Sequence, residues 1–137
     1  MAVASGCDDD AVRLWNSTDG SCMRVLRGHL QGVTSLVPIG GGKLVSGSDD
    51  YELRVWDTFE GSCQQILVGH RGWISCLAKL GDDTVISGSE DNTLIVWDCV
   101  EGDGNPSMVL GSDKPSSTSA THQSWITAVV RLRHDRW

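Results

Sequence analysis

The sequence lacks the features by which a chain enters or crosses a membrane. No apolar run approaches the ~20 residues of a transmembrane helix. The first ten residues, MAVASGCDDD, have neither the basic start nor the long apolar stretch of a secretory signal peptide. We therefore expect no membrane association and a cytoplasmic or nuclear location.

Positive charge is also scarce. The 137 residues carry 11 lysines and arginines against 18 aspartates and glutamates, which gives a formal net charge of −7. This charge would repel a nucleic-acid backbone or an anionic membrane surface. It argues against nucleic acid as a partner and favours a basic segment of another protein.

Cysteine and histidine pairs of the kind that bind metals are missing as well. The cysteines never form a C-x-x-C pair, and none of the four histidines has a familiar metal-ligand spacing. We expect no metal and no other cofactor. Because no secretory signal is visible, we interpret the five cysteines as reduced thiols; they are Cys7, Cys22, Cys63, Cys76 and Cys99.

What the chain does contain is a repeat with a period of 41 residues. Trp15, Trp56 and Trp97 are each 41 residues apart. The Ser-Gly pairs, the aspartates before the tryptophans and two Gly-His pairs keep the same interval. A fixed period of this length indicates repeated structural units.

Each period has the signals of four short strands. The segments LRVW and LIVW are rich in β-branched and aromatic residues, and they follow the turn-forming segments SGSDD and SGSED. Further short apolar segments complete the period, and no stretch shows a sustained 3.6-residue periodicity. Four short strands in about 41 residues are typical of one β-propeller blade.

The segments RGH…SGSDDYELRVWD and VGH…SGSEDNTLIVWD resemble the WD-repeat family of β-propellers. Each has the family's Gly-His start, its aspartate six residues before the tryptophan and its closing Trp-Asp. The resemblance implies an all-β fold of WD-repeat blades, about three blades' worth of four-stranded antiparallel sheets in an incomplete propeller. In each blade the strands would run from a, the innermost, through b and c to d, the outermost.

The resemblance also implies a buried hydrogen-bonded set of four side chains, here called a tetrad, across each blade. Trp donates, Asp accepts, and Ser and neutral His do both, so the four can form one chain. The implied tetrads are His29, Ser46, Asp50, Trp56 and His70, Ser87, Asp91, Trp97. A partial tetrad consists of Ser5, Asp9, Trp15 and the orphan His122.

Serine, histidine and aspartate also make up nucleophilic triads. No serine here lies on a G-x-S-x-G elbow, and the three residue types recur in two blades beside a tryptophan. Recurrence with the period of the fold favours a structural role. We therefore expect a protein that is not an enzyme.

We interpret residues 1–137 as one partial propeller with repeat units at about 1–29, 30–70, 71–122 and 123–137. The predicted strand order is b-c-d, then a-b-c-d twice, then a lone a in WITAVVRL. A ring of seven such blades would need about 290 residues, well above this length. Three expectations stay open: a fragment or truncated form of a longer propeller, a homodimer that completes the open blade edges, or completion by a different polypeptide.

One segment breaks the period. His70 and His122 are 52 residues apart, and the extra length falls in a Ser/Thr-rich loop insertion at 111–121. This composition is typical of a flexible surface loop. Its hydroxyls also fit a regulatory loop that phosphorylation would charge, and both interpretations stay open.

Members of the family that the chain resembles mostly serve as platforms for other proteins, which dock on the face with the d–a and b–c loops. On this face each b–c turn presents an acid, and aromatic residues and an arginine lie near the entries to strands a. Aromatic residues and Arg dominate interface energetics. The candidate protein-binding residues are Asp8, Asp49, Glu90, Arg71, Trp73 and Trp125. The alternatives are packing between blades for the tryptophans and plain solvation for the acids.

The function that the sequence favours is a non-catalytic scaffold or adaptor that binds other proteins or peptides, with a basic peptide as the expected ligand. Two alternatives stay open. One is the repeat portion of a larger enzyme-linked or sensor protein, for example one fused to a kinase. The other is a substrate-receptor subunit of a ubiquitin ligase, although Phe59 and Val100 stand where some of those receptors have an arginine.

Overall fold

A computed structural model describes residues 1–111 and 125–132 of the chain. These residues form eleven strands and no helix. The strands are β1 Ala2–Gly6, β2 Ala11–Asn16, β3 Cys22–Arg27, β4 Val33–Ile39, β5 Lys43–Ser48, β6 Leu53–Asp57, β7 Cys63–Leu67, β8 Ile74–Lys79, β9 Thr84–Ser89, β10 Leu94–Asp98 and β11 Met108–Leu110. Because they form no helix, the described residues hold no helical segment that could span a membrane.

The strands form three separate antiparallel sheets, and each sheet follows the order of the chain. Blade 1 is β1-β2-β3, blade 2 is β4-β5-β6-β7 and blade 3 is β8-β9-β10-β11. Blades 2 and 3 have four strands, and blade 1 lacks an innermost strand among the described residues. The predicted all-β fold of incomplete propeller blades is confirmed.

The blades pack face to face on alternating apolar side chains. Between blades 1 and 2 the core is formed by Val12, Leu14, Leu26, Val33, Leu44 and Trp56. Between blades 2 and 3 it is larger and contains Ile39, Val45, Leu53, Val55, Leu67, Ile74, Val85, Ile95, Trp97 and Cys99. The tryptophans of blades 2 and 3 therefore face the blade that precedes them.

A bulge at the start of each innermost strand ties neighbouring blades together. The register of β4 against β5 shifts between Val33 and Ser35, and that of β8 against β9 shifts between Ile74 and Cys76. The residue inside each bulge has a hydroxyl that donates to the next blade's chain: Thr34 Oγ1 to the Ile74 carbonyl, and Ser75 Oγ to the Ile126 carbonyl. Bulges re-aim side chains in this way.

The predicted last strand, in WITAVVRL, is not formed. Residues 125–132 contain no strand, and none of the described strands pairs with them along their length. Their beginning nevertheless occupies the place of an innermost strand, because Ile126 N donates to the Ser89 carbonyl at 3.2 Å and the Ile126 side chain is buried. A strand needs a partner for its backbone hydrogen bonds, which the apolar pattern of a sequence does not supply.

The connection between β10 and β11, residues 99–107, reaches back onto blade 2. The Gly104 carbonyl accepts from Val68 N at 3.1 Å, and the Gly102 carbonyl accepts from the Gln65 side chain. Pro106 packs against Gly69, which leaves no room for a Cβ there. This connection therefore covers the end of the outer edge of β7. Most of the predicted loop insertion at 111–121 and all of its Ser/Thr-rich part lie outside the described residues.

Candidate functional site

In blade 2 the side chains of the predicted tetrad form one hydrogen-bonded chain. Trp56 Nε1 donates to Ser46 Oγ at 2.8 Å, and Ser46 Oγ lies 2.6 Å from His29 Nε2. His29 Nδ1 lies 2.7 Å from Asp50 Oδ2. Because the Asp50 carboxylate can only accept, His29 donates from Nδ1, and a neutral His29 then accepts the Ser46 proton at Nε2.

Blade 3 repeats this arrangement with nearly the same distances. Trp97 Nε1 donates to Ser87 Oγ at 2.8 Å, the hydroxyl lies 2.6 Å from His70 Nε2, and His70 Nδ1 lies 2.8 Å from Asp91 Oδ2. Thr93 adds a hydroxyl that donates to Asp91 at 2.6 Å. Both tetrads thus run from the middle of the blade to its b–c turn.

Burial sets the protonation states of these tetrads. Burial lowers the pKa of both His29 and His70 by more than their aspartate partners raise it. Burial raises the pKa of Asp50, but hydrogen bonds from the backbone of Leu30 and Glu52 and from His29 outweigh it, so this pKa lies below its usual value. Each tetrad therefore pairs a neutral histidine with a carboxylate.

The serine hydroxyls of these tetrads are closed to substrates. Ser46 and Ser87 have no exposed surface, and each hydroxyl is already engaged by a tryptophan and a histidine. A nucleophile must reach the atom that it attacks. The Ser-His-Asp geometry inside the blades is therefore a buried structural arrangement. Within residues 1–111 and 125–132 no group of three metal-ligating side chains is placed to hold an ion.

Among the described residues, blade 1 holds only half of a tetrad. Trp15 Nε1 donates to Ser5 Oγ at 2.8 Å, as in the other blades. Asp9 instead accepts from Arg13 at 3.0 and 2.5 Å, and these hydrogen bonds lower its pKa to about 2. The predicted fourth member, His122, lies outside the described residues.

The b–c turns and the residues that enter the innermost strands form one surface, here called the upper rim. It consists of Asp8, Leu30, Gly32, Asp49, Tyr51, Arg71, Trp73, Glu90 and Trp125. The same backbone bond closes it in two blades, because Asp49 N donates to the Gly32 carbonyl and Glu90 N to the Trp73 carbonyl, both at 3.0 Å.

Two acids of the upper rim converge from neighbouring blades. A Cβ placed on Gly32 would lie 3.4 Å from Asp8 Oδ1 and 3.8 Å from Asp49 Oδ2, so both carboxylates border the same small residue. Burial raises the pKa of Asp49, and the nearby charges of Asp8 and Asp50 raise it further. The convergence creates a concentrated negative charge that a cation would relieve.

The tryptophans of the upper rim are largely open to solvent. Trp73 is 47% exposed and Trp125 is 64% exposed, and Arg71, two residues before Trp73, is also exposed. Sequence reasoning missed two more exposed side chains here, Leu30 at 78% and Tyr51 at 44%. The period itself could have identified Leu30, because it occupies the same repeat position as Arg71.

Comparison with protein families agrees with this geometry. The family described as "WD domain, G-beta repeat" matches the chain twice, at residues 20–57 and 61–98. Both matches end on the Trp-Asp that closes strand c, and together they cover more than half of the chain. This protein belongs to the WD-repeat family.

Proposed function

We propose that the chain is a non-catalytic scaffold or adaptor that binds a segment of another protein on its upper rim. Repeats of this family generally mediate protein–protein interaction. The observation that carries the proposal is the convergence of Asp8 and Asp49 on Gly32, next to a row of exposed aromatic side chains.

The chemistry of the rim favours a basic ligand. Asp8 and Asp49 converge at Gly32, where a Lys or Arg side chain would relieve their mutual repulsion, and Glu90 is the acid at the same repeat position in blade 3. Trp73 and Trp125 offer ring faces that attract guanidinium and ammonium groups. A peptide with Lys or Arg residues spaced along an extended backbone would use both features, and the net charge of −7 would speed its approach.

Binding of short labelled peptides tests this proposal. The probes are fluorescein-labelled (Arg-Gly-Ser)3 and (Glu-Gly-Ser)3, followed by fluorescence anisotropy. We expect the arginine peptide to bind and the glutamate peptide not to bind. The double variant Asp49→Lys/Glu90→Lys should bind the arginine peptide at least tenfold more weakly than the unmodified chain.

A control variant with the same change in net charge distinguishes the effect of the rim residues on binding from the effect of the overall charge. Asp82 and Glu60 lie in an a–b and a c–d turn, on the side of the blades away from the upper rim. Asp82→Lys/Glu60→Lys should keep binding within about threefold of the unmodified chain. Equal weakening by both double variants, or no binding of the arginine peptide to the unmodified chain, would contradict the proposed ligand.

The same proposal places the protein in a reducing compartment, the cytoplasm or the nucleus. Its support is the state of the five cysteines, all of which lie within the described residues and none of which forms a disulfide. Burial raises the pKa of the Cys99 thiol to about 12, which keeps it protonated and unreactive.

A further inference from the structure

Blade 1 has a free strand edge on its inner side. Cys7 N donates to the Ala11 carbonyl and the Met1 carbonyl accepts from Ser17 N, so the odd-numbered residues of β1 bond to β2. Because backbone groups alternate along a strand, Ala2, Ala4 and Gly6 point theirs to the opposite edge. Among residues 1–111 and 125–132, no strand pairs with that edge.

The interface between blades 1 and 2 is open beside this edge, at places where the interface between blades 2 and 3 is closed by hydrogen bonds. Between blades 2 and 3, Thr34 bonds to the Ile74 carbonyl, and Gly40 N donates to the Asp82 carbonyl at 2.7 Å. Between blades 1 and 2 the corresponding places are two cavities of about 380 and 270 Å³. Their walls are mainly apolar and include Ala4, Val33, Leu36, Pro38 and Leu44.

The chain also carries the sequence of a matching innermost strand. Residues 126–132, ITAVVRL, align with VTSLVPI of β4 and with ISCLAK of β8. Ile126 meets Gly88 as Ile74 meets Gly47 and Val33 meets Gly6, so this segment already sits in the place of an innermost strand. Beyond Ile126 every residue of the segment except the half-buried Val129 is exposed, with Val130 at 75% and Leu132 at 83%.

We propose that residues 126–132 of one copy of the chain pair with β1 of a second copy. Within the described residues each copy has one free edge and one segment that pairs with no strand, so two copies of the 137-residue chain satisfy each other reciprocally and close into a ring of six blades. Closure removes both apolar edges from water, and a symmetric pair is the commonest closed assembly. Thr127 then takes the place of Thr34 and Ser75, and its hydroxyl reaches the Val33 carbonyl of the partner subunit.

The repeat fixes the register of this pairing. Pro38 pairs with Leu44 in blade 2, and Lys79 pairs with Val85 in blade 3. The residues at the same repeat positions are Arg131 and Val3, which therefore lie opposite each other across the two copies. Val3 is 53% exposed and Arg131 is exposed, so both tolerate replacement.

Light scattering and disulfide trapping test the proposal. In the full 137-residue chain, the exposed Cys7, Cys22 and Cys63 are first changed to serine. We expect a dimer by size-exclusion chromatography with light scattering. Val3→Cys/Arg131→Cys should then form a disulfide-linked dimer on oxidation, seen on a non-reducing gel.

The control moves one cysteine by a single residue. In Val3→Cys/Val130→Cys the second side chain points to the other face of the strand, so we expect at least tenfold less linked dimer. A monomer in solution, an intramolecular disulfide in Val3→Cys/Arg131→Cys, equal linking by both variants, or open-ended larger assemblies would each overturn the proposal. None of these outcomes depends on a ligand at the upper rim.

Discussion

Blade 1 has the serine, aspartate and tryptophan of the tetrads in blades 2 and 3, but its aspartate has a different hydrogen-bond partner. The tryptophan-to-serine bond is 2.8 Å long in all three blades. The aspartate differs, because the Asp9 side chain is 45% exposed and bonds to Arg13, whereas those of Asp50 and Asp91 are 4% and 11% exposed and bond to a histidine. The half of the tetrad that lies within one hairpin forms in all three blades, whereas in blade 1 the described residues pair the aspartate with an arginine of the same hairpin.

The largest effect is expected when a complete tetrad is broken by mutation. The incomplete tetrad of blade 1 serves as the control. His70→Ala leaves the Ser87 hydroxyl and the Asp91 carboxylate without their partner, which should cost on the order of 1–3 kcal/mol of unfolding free energy. His29→Ala should cost a similar amount in blade 2. Urea denaturation followed by tryptophan fluorescence measures both.

Ser5→Ala is the matched change in blade 1. The Ser5 hydroxyl bonds only to Trp15 among the described residues, and Ser5 is not fully buried, so loss of the hydroxyl should cost less than either histidine variant. If His70→Ala melts like the unmodified chain, the tetrad does not stabilise blade 3.

A second prediction uses acid to distinguish the complete tetrads. The folded chain holds the pKa of His29 and His70 below the 6.5 of an unperturbed histidine, so the unfolded chain binds protons first. The unfolding free energy should therefore fall as the pH drops below about 6.5, until the pH passes the pKa values of the two histidines in the folded chain. Urea midpoints between pH 8 and 5.5 measure this slope.

The double variant His29→Gln/His70→Gln removes the two titrating groups of these blades. Its urea midpoint should change less over the same pH range than that of the unmodified chain. An unchanged slope would mean that other groups cause the acid sensitivity.

The smallest effect is expected at the b–c turns, where one repeat position can be compared in all three blades. Asp10, Tyr51 and Asn92 occupy the same repeat position and all have positive φ, at 69°, 73° and 70°. Asp and Asn tolerate this conformation, and Tyr is strained by it. Tyr51→Asn should stabilise the chain by about 0.5–1 kcal/mol, and the reverse swap Asn92→Tyr should destabilise it. Thermal melts check both, and a loss of stability in Tyr51→Asn would show that the Tyr51 side chain makes a contact worth more than the strain.

The sequence was sufficient for the blades because the 41-residue period records constraints that every blade shares. The resemblance to the WD-repeat family named the residues of the two complete tetrads, and the structure brings each set within hydrogen-bond distance. The bond between Asp9 and Arg13 could not be predicted, because the same position in blade 2 is Arg54, which bonds to Glu52, and in blade 3 is Ile95.

The absence of a strand in residues 125–132 also could not be predicted from the sequence. An alternating apolar pattern predicts a strand but does not say whether a partner edge is present. The contacts of residues 99–107 with blade 2 rest on glycine carbonyls and one proline, which leave no periodic signal.

The cover that residues 99–107 place on β7 has a consequence for how the chain folds during synthesis. Blade 2 is complete in sequence once Leu67 has been made, yet the N–H of Val68 and the side-chain amide of Gln65 find their acceptors at Gly104 and Gly102, more than thirty residues later. Until those residues emerge, blade 2 exposes an edge that another nascent chain could pair with. Completion of blade 3 therefore protects blade 2, and the two should unfold as one cooperative unit.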